Sequence, residues 1–404
     1  MKKKIIIVMT LTGIILLIIG SILLLMTRKP KVDTSGYKLI DNIEVNVYSQ
    51  KKVSDFISSI KGKVITNEKI NTEHLGKQEV DFIYENEKGE KRTGIINVNI
   101  VDQEEPLVWL SNSYSIKVGS KIDLNEEILC ADNYDSKPNC RIEGEYDLNT
   151  AGVYNLTYVA TDSSDNEEKV SFKLNVYEPE PMIEKEEQEQ EQPARTVFKE
   201  VLEDYKNKNT EIGIDVSKWQ GEIDFKKVKD AGATFVMIRV GSQQGVGGQY
   251  NLDPYFKQNM ENAVKNDLKA GVYFYSYADS KKEAKKQANW VLNQIKKYKL
   301  SLPIAFDWEC YNSFNQMELS LFGLNEVAES FLKRVEDAGY DSMLYGSKNY
   351  LNSIWKYQSY DVWLAHYTQE TDYESDYIMW QLCQNGQIDG INMAVDINVL
   401  YTDE

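Results

Sequence analysis

The apolar and polar positions of the chain fall into four stretches with different patterns. The first is an uncharged, mostly apolar run from Ile5 to Met26, with lysines before it and basic residues after it. As a helix this run would be ~33 Å long, which is enough to cross a bilayer. Apolar residues continue past the small pair Gly20-Ser21, so a cleaved signal peptide fits less well. The pattern predicts a cytoplasmic stub over residues 1–4, a transmembrane helix over 5–27 and a single-pass protein of the cell membrane whose bulk is extracellular.

The second stretch, residues 33–177, alternates apolar and polar side chains, and turn clusters such as "NEKGE" separate the runs. This pattern indicates β-hairpins. The stretch also repeats itself, with Gly76 and Gly152 at matching positions and an acidic, proline-containing junction after each unit. Two all-β sandwich modules over residues 33–103 and 104–177 explain the repeat better than one larger domain. The second module resembles bacterial Ig-like domains through "ADNYDSKPN", "TAGVYNLTYVATD" and "VSFKLNVY", and the first resembles them more loosely.

The third stretch, residues 178–200, has neither a strand nor a helix period. Its first part, "EPEPMIEKEEQEQEQP", is dominated by glutamate and proline. Such a composition cannot build a core, and repulsion between its charges keeps it extended. We therefore expect an acidic linker here.

The fourth stretch, residues 205–404, alternates helical periods with short strand-like runs. Three segments, "VKDAGATFVMIRV", "VKNDLKAGVYFYSY" and "VEDAGYDSMLYGS", each pass from a helical period through a glycine into a strand-like run. Eight runs are typical of strands, and the helices between them favour a parallel barrel over an open sheet. The links after Tyr360 are too short for full helices. We therefore predict a multidomain protein that ends in an irregular (β/α)8 TIM-like barrel.

The composition narrows the chemistry that these domains can perform. The formal net charge is −17, and because an acidic protein repels phosphate backbones, we expect no nucleic-acid partner. The chain has only two histidines and no C-x-x-C pair. This argues against zinc sites and against catalytic devices that need histidine. We predict neither a metal nor a cofactor.

Cys130 and Cys140 flank "ADNYDSKPN" in the second module. In an extracellular compartment they are candidates for a disulfide that closes this loop. Two buried free thiols are the alternative. Aspartates in the same region could bind calcium, although aspartates that form turns are commoner, and the sequence leaves this open.

Four carboxylates stand at the ends of predicted barrel strands. Asp215 lies in "GIDVSKWQG", Asp307 and Glu309 lie in "FDWEC", and Asp396 lies in "AVDINVL". Each alone could cap a helix, form a turn or face solvent. Strand ends of a barrel meet at one mouth, where crowded carboxylates raise one another's pKa values. One carboxyl that keeps its proton and others that stay ionised are what glycoside hydrolysis requires.

Aromatic residues also lie at or just past the strand ends. Sugar rings stack on aromatic planes, and we select Tyr277, Tyr345 and Trp363 as candidates for a substrate groove. For any single aromatic residue, packing inside the barrel is the alternative interpretation. Gln381 is a candidate for a hydrogen bond to a sugar hydroxyl or amide.

These residues resemble a known family. "GIDVSKWQG", "FVMIRVGSQQG", "GVYFYSYA", "FDWE" and "AVDINVL" are similar to the motifs of glycoside hydrolase family 25, the Chalaropsis-type lysozymes, over residues 211–402. The resemblance implies an N-acetylmuramidase that cleaves the β-1,4 bond between N-acetylmuramic acid and N-acetylglucosamine in peptidoglycan. It also implies that Glu309 is the general acid and Asp307 its close partner, and that Asp215 and Asp396 complete the cluster. Either a carboxylate or the acetamido oxygen of the substrate would attack the anomeric carbon.

The resemblance extends the expectations for the whole chain. We expect a membrane-tethered enzyme that faces the cell wall and acts on peptidoglycan glycan strands, with the β modules and the linker as spacers. The β modules are also candidates for docking a protein partner. A catalytically silent wall-binding or scaffold protein is one alternative, and a glycosidase of another polymer such as chitin is a second. "SYADS" replaces the commoner histidine-containing form of its strand end, which could move a hydrogen bond to the substrate.

Overall fold

The computed structural model describes residues 31–41, 43–109, 113–125, 128–179, 194–355 and 360–402. The predicted stub and transmembrane helix, and most of the predicted linker, lie outside these residues. Within the described ranges no helix is long and apolar enough to cross a membrane. The predicted membrane-spanning helix and the membrane localisation that rests on it therefore find no support among the described residues. The chain divides into two compact units, Met1–Gln103 and Glu104–Glu404.

The described part of the first unit is a small β module. A four-stranded sheet has the order β2-β6-β5-β4, and β1 pairs with β3 in a second sheet. The side chain of Tyr37 packs edge-on against Phe82, with ring centroids 5.0 Å apart, and both rings are buried. The strands are β1 (Tyr37–Leu39), β2 (Glu44–Asn46), β3 (Ile57–Ile60), β4 (Gly62–Val64), β5 (Gly76–Asn86) and β6 (Lys91–Val101), and a 3-10 turn covers Val53–Phe56.

The second unit begins with another β module. Its four-stranded sheet has the order β10-β11-β12-β8, and β7 pairs with β9 in a two-stranded ribbon. A disulfide joins Cys130 on β9 to Cys140 on β10, with Cα atoms 6.5 Å apart. The strands are β7 (Leu107–Trp109), β8 (Ser113–Lys117), β9 (Leu129–Ala131), β10 (Asn139–Glu143), β11 (Gly152–Thr161) and β12 (Glu167–Tyr177). Each module thus has a four-stranded and a two-stranded sheet among its described residues, and the resemblance to Ig-like domains is not confirmed.

The loop aspartates of the second module form turns. The Asp132 carboxylate accepts hydrogen bonds from the backbone N–H groups of Tyr134 and Asp135, at 2.8 and 2.7 Å. The Asp162 carboxylate accepts from the backbone of Ser164 and Asn166, both at 2.8 Å. These are the local hydrogen bonds that make aspartate common in turns.

The remainder of the second unit is a closed barrel of eight strands. The sheet runs β21-β20-β19-β18-β17-β15-β14-β22, and β21 pairs with β22 to close it. A short strand β13 pairs with β21, and β16 pairs with β15. The strands are β13 (Thr196–Val197), β14 (Thr210–Val216), β15 (Phe235–Gln243), β16 (Tyr250–Leu252), β17 (Lys269–Tyr275), β18 (Ile304–Asp307), β19 (Ser342–Ser347), β20 (Asp361–Ala365), β21 (Met379–Gln387) and β22 (Val395–Tyr401).

The predicted (β/α)8 TIM-like barrel is wrong, because the eighth strand runs the other way. Strand β22 is antiparallel to both of its neighbours, β14 and β21. Only residues 388–394 join β21 to β22, whereas a parallel crossover needs about a dozen residues or more. The chain therefore returns as a hairpin. Residues 366–378, which join β20 to β21 and are fully described, also contain no helix.

Seven α-helices pack around the described barrel. Apolar side chains on their inner faces form one cluster with the outward-facing side chains of the strands. The first helix comes before the predicted domain boundary at residue 205, and its buried Phe198 and Val201 belong to this cluster. The helices are α1 (Phe198–Tyr205), α2 (Phe225–Asp230), α3 (Phe256–Lys265), α4 (Lys281–Ile295), α5 (Phe314–Met317), α6 (Leu321–Glu336) and α7 (Lys348–Ser353).

The inside of the barrel is packed at one end and open at the other. A second apolar cluster fills the interior and includes Phe235, Met237 and Met343, which are fully buried. Gly213 permits close approach of β14 and β15, because a Cβ atom there would lie 2.5 Å from the carbonyl oxygen of Phe235. The packed interior forms a floor, and the polar ends of the strands surround the opening above it.

Candidate active site

The pairing of the barrel strands brings the four predicted carboxylates into one pocket. Asp215 on β14 is the direct partner of Asp396 on β22. Asp307 is the last residue of β18, and Glu309 follows it by two positions. The pocket has a volume of about 210 Å³ and is lined by Asp215, Ser217, Trp219, Gln220, Arg239, Tyr273, Tyr275, Asp307, Glu309, Tyr345, Trp363, Gln381 and Asp396.

Asp215 and Asp396 form the first carboxyl pair. Burial raises the pKa of Asp215, and hydrogen bonds from Asn398 and Gln381 oppose this rise. The side-chain amides of these two residues donate to the same Asp215 oxygen, at 2.8 and 2.9 Å. Burial and the neighbouring Asp215 charge raise the pKa of Asp396 to about 9. The amides favour the ionised form of Asp215, so a proton shared by the pair lies preferentially on Asp396.

Asp307 and Glu309 form the second pair. Asp307 is only 3% exposed, and its burial together with the Glu309 charge raises its pKa well above the usual range. The pKa of Glu309 is also raised, first by the protein atoms around its carboxyl. Residue Glu309 is nevertheless exposed at the opening of the pocket, so water offsets part of this rise, and the pKa of the buried Asp307 is raised more strongly. Their proximity favours a single proton shared by the two carboxyls, and Glu309 is the one that solvent reaches.

Gln381 links the first pair to two tyrosines. Its side-chain carbonyl accepts hydrogen bonds from the hydroxyl groups of Tyr345 and Tyr367, at 2.9 and 3.1 Å. Because its amide group donates to Asp215, both ends of this buried side chain bind other protein groups. The network fixes the orientation of Gln381 and therefore of the Asp215 carboxylate.

One cation also lines the pocket. The guanidinium group of Arg239 forms two hydrogen bonds with a single carboxylate oxygen of Asp253, at 2.9 and 2.7 Å. The Asp253 side chain is 1% exposed. The positive charge of Arg239 opposes the rise in the pKa of Asp307. It therefore helps to keep one negative charge in a crowded acidic site.

Sequence reasoning missed Arg239 and Asn398, although both left a signal. Arg239 is the charged residue in the otherwise apolar run "FVMIRV", and a charge inside a buried strand needs a partner or a role. Asn398 stands two positions after Asp396 on β22, so both side chains point to the same face of the strand. The Asn398 carbonyl also accepts a hydrogen bond from the indole N–H of Trp363, at 2.8 Å.

The aromatic residues that were predicted to bind sugar differ in whether they line the pocket and in how far they are exposed. Tyr345 and Trp363 line the pocket, but they are 7% and 1% exposed and also belong to the packed interior of the barrel. Tyr277 lies beside Tyr275, with ring centroids 5.5 Å apart, and is not among the described pocket-lining residues. Trp219 lines the pocket and is 67% exposed. In the sequence Trp219 is one of several aromatic residues at predicted strand ends. Its exposed side chain distinguishes it from Tyr345 and Trp363, which are buried.

The two remaining cysteines, Cys310 and Cys383, are buried free thiols. Burial raises the pKa of both. The Cys310 thiol lies 3.5 Å from the carbonyl oxygen of Ser276, within range of a weak hydrogen bond. A buried protonated thiol behaves as a small apolar side chain, and Cys310 accordingly belongs to the apolar cluster around the barrel.

A barrel whose open end holds two proton-sharing carboxyl pairs and an exposed aromatic ring has the arrangement of a glycoside hydrolase. Comparison with known proteins agrees. Residues 214–391 match the family model of the Glycosyl hydrolases family 25. The chain is 31% identical over 193 residues to the uncharacterized protein YegX of Escherichia coli K12, covering 46% of this chain and 68% of that protein.

Two further proteins are similar to about half of the chain. The autolytic lysozyme of Clostridium acetobutylicum is 25% identical over 191 residues, which cover 46% of this chain and 54% of that enzyme. A solved family 25 glycosyl hydrolase from Bacillus anthracis is 22% identical, with a TM-score of 0.42, and the match covers 50% of this chain and 93% of that chain. The chain spans about half the length of the autolytic lysozyme.

The chain belongs to glycosyl hydrolases family 25, and the resemblance seen in its motifs is confirmed. It is accordingly a glycoside hydrolase of the lysozyme type, as the sequence predicted.

Proposed function

We propose that the chain is an N-acetylmuramidase that cleaves the β-1,4 bond between N-acetylmuramic acid and N-acetylglucosamine in peptidoglycan. The observation that carries the proposal is the collection of four carboxyls within one pocket, where Asp215 faces Asp396 across two strands and Glu309 follows Asp307 at the end of a third. Glycosidic bonds are cleaved through a transition state with positive charge on the sugar ring. Such a site needs a carboxyl that donates a proton to the leaving oxygen, and it needs negative charge that stabilises the positive charge on the sugar ring.

Glu309 is the proton donor in this proposal. It shares a proton with the buried Asp307, and it is the member of the pair that is exposed at the pocket opening. Glu309 passes the proton that it shares with Asp307 to the leaving oxygen. Both carboxyls are then ionised, and the positive charge of Arg239 offsets part of this negative charge. Asp215, held by Asn398 and Gln381, supplies fixed negative charge to the developing cation.

Trp219 is the proposed stacking surface for a sugar ring. It is the widely exposed aromatic residue among those that line the pocket. The ammonium group of Lys218 lies 4.6 Å from the centre of its ring, which helps to hold the indole in place. Tyr345 and Trp363 support the pocket wall from within rather than offering a free face.

The test is digestion of purified peptidoglycan by the full chain, followed by chemical identification of the new reducing ends. The proposal predicts reducing ends of N-acetylmuramic acid. Reducing ends of N-acetylglucosamine alone would contradict the assigned bond. Binding without any new ends would instead support a silent wall-binding protein, and cleavage of chitin but not of peptidoglycan would support a different substrate.

A further inference from the structure

The two-stranded ribbon of the second β module packs one face into the core of the module and the other face against the barrel. On β7 and β9, Val108 and Cys130 point into the core of the module itself. The alternate residues Leu107, Trp109 and Ala131 pack against the apolar cluster of the barrel. Alternation along a strand sends successive side chains to opposite faces, so one ribbon serves both domains. The module is therefore packed against the barrel in this unit and does not act only as a spacer.

Trp109 is the residue of this ribbon that contacts the segment next to the active site. Its ring stacks on Tyr311, with centroids 5.7 Å apart and planes at 24°. It also packs edge-on against Tyr350, with centroids 4.8 Å apart. The hydroxyl group of Tyr350 lies 3.4 Å from the backbone carbonyl oxygen of Glu309 and donates to it. Trp109 is thus one side chain removed from the backbone of the proposed general acid.

A second contact holds the far end of the segment that runs from Glu309 to Ser320, where α6 begins. The backbone N–H groups of Leu321 and Phe322, in the first turn of α6, donate to the carbonyl oxygens of Asp132 and Asn133, at 2.7 and 3.3 Å. The first N–H groups of a helix have no partner within the helix. Here a turn of the β module supplies those partners. An ion pair between Lys137 and Glu318, 2.6 Å long and exposed, adds a weaker link.

We propose that the second β module positions the proposed general acid, with Trp109 as the main positioning residue. The segment from Glu309 to Ser320 joins β18 to α6 and is held by the module near both of its ends. Without the module, Tyr311 would lose its stacking partner and the first turn of α6 would lose two acceptors. Glu309 would then be held by fewer contacts. Because a displacement of about 1 Å costs up to ~100-fold in rate, such contacts matter for turnover.

The inference rests on the proposed function, and its kinetic test uses the full chain with soluble peptidoglycan fragments. We expect Trp109→Ala to lower kcat about 10-fold or more while KM changes less than twofold, since Trp109 is outside the pocket. Trp109→Phe keeps an aromatic ring and should restore most of kcat. Tyr146→Ala removes an exposed aromatic residue of the same module and should leave both constants unchanged.

A second measurement does not depend on activity. Hydrogen exchange of the amides of Leu321 and Phe322, followed by mass spectrometry, reports whether the module covers α6. We expect faster exchange there in Trp109→Ala, with exchange in β11 and β12 unchanged because the module itself stays folded. Unchanged exchange at α6, an unaltered kcat, or a loss expressed only in KM would overturn the positioning role.

The two proposals fail in different ways. If the unmodified chain cleaves peptidoglycan and Trp109→Ala cleaves it equally well, only the positioning role is wrong. If the unmodified chain cleaves nothing, the proposed function is wrong and the positioning of an acid falls with it, whatever the exchange at α6.

Discussion

Asp215 and Asp396 are direct partners in the antiparallel pairing of β14 with β22. Like charges opposite each other destabilise a sheet, and burial adds to the cost of ionising them. The pair persists because one member keeps its proton and because Asn398 and Gln381 donate to the other. This pairing lowers the stability of the fold, and its presence is explained by a site whose chemistry requires carboxylates.

The stability of the protein should therefore fall with rising pH through this pair. Between the unfolded pKa of aspartate, about 3.9, and the folded pKa of Asp396, about 9, the unfolded chain has lost a proton that the folded chain keeps. The free energy of unfolding then decreases as pH rises, by up to ~1.4 kcal/mol per pH unit. Asp396→Asn removes this dependence. In chemical denaturation from pH 4 to pH 8, the free energy of unfolding of the variant should rise relative to that of the unmodified protein as pH increases.

Asp372→Asn is the control for this measurement, because it should have the opposite sign. A hydrogen bond from Lys348 lowers the pKa of Asp372. This exposed pair contributes stability above the unfolded pKa and loses it as pH falls. The Asp372 variant should therefore be slightly less stable than the unmodified protein by a nearly constant amount from pH 4 to pH 8, and equal to it only in stronger acid. An advantage of Asp396→Asn that stays constant with pH would contradict a proton held on Asp396.

Glu309→Gln should abolish turnover while leaving the fold intact. The amide occupies the same space, but it cannot give a proton to the leaving oxygen, and general acid catalysis contributes roughly 10²- to 10⁴-fold in rate. Release of reducing ends from peptidoglycan measures the loss, and the thermal unfolding midpoint checks the fold. Glu326→Gln is the matched control, since Glu326 pairs with Lys281 on the outer surface at 2.6 Å. If the Glu309 variant keeps full activity, another residue is the acid.

Trp219 and Trp363 should respond oppositely to removal of the indole. Trp219→Ala removes an exposed ring, so we expect KM to rise roughly three- to tenfold with little change in stability. Trp363→Ala removes a ring that is 1% exposed, so we expect the free energy of unfolding to fall by about 3–5 kcal/mol. Steady-state kinetics and urea denaturation of both variants separate the two roles. An unchanged KM in the Trp219 variant would place sugar stacking elsewhere.

Much of the barrel could be predicted from the sequence because its strands are short apolar runs between clear helices. The run "LPIAFDW" became β18 (Ile304–Asp307), and "MAVDINV" became β22 (Val395–Tyr401). The direction of β22 was missed, although its short link to β21 carried the information. A TIM-like template assigned a parallel strand where the link length permits only a hairpin.

The carboxylates of the site could be predicted because strand ends meet at the barrel opening, whatever the details of packing. The roles of the aromatic residues could not, because exposure depends on neighbours from distant strands. Trp219 and Trp363 are chemically equal in the sequence and differ only in what covers them. The contact of Trp109 with Tyr311 could not be predicted either, since a strand residue that faces a second domain has the same sequence pattern as any other apolar position.

The disulfide between Cys130 and Cys140 should stabilise the turn that caps α6. It closes a loop of sequence separation 10, which is worth about 2–3 kcal/mol through the unfolded state. Cys130 also precedes Ala131 and Asp132, which contact the barrel, so loss of the bond should loosen that contact. We expect dithiothreitol to lower the urea midpoint of the unmodified protein and to speed amide exchange at Leu321. Cys140→Ser should show both changes without the reductant and no further change with it. A reductant effect of equal size in this variant would trace the loss to another group and leave the disulfide without a role in the contact.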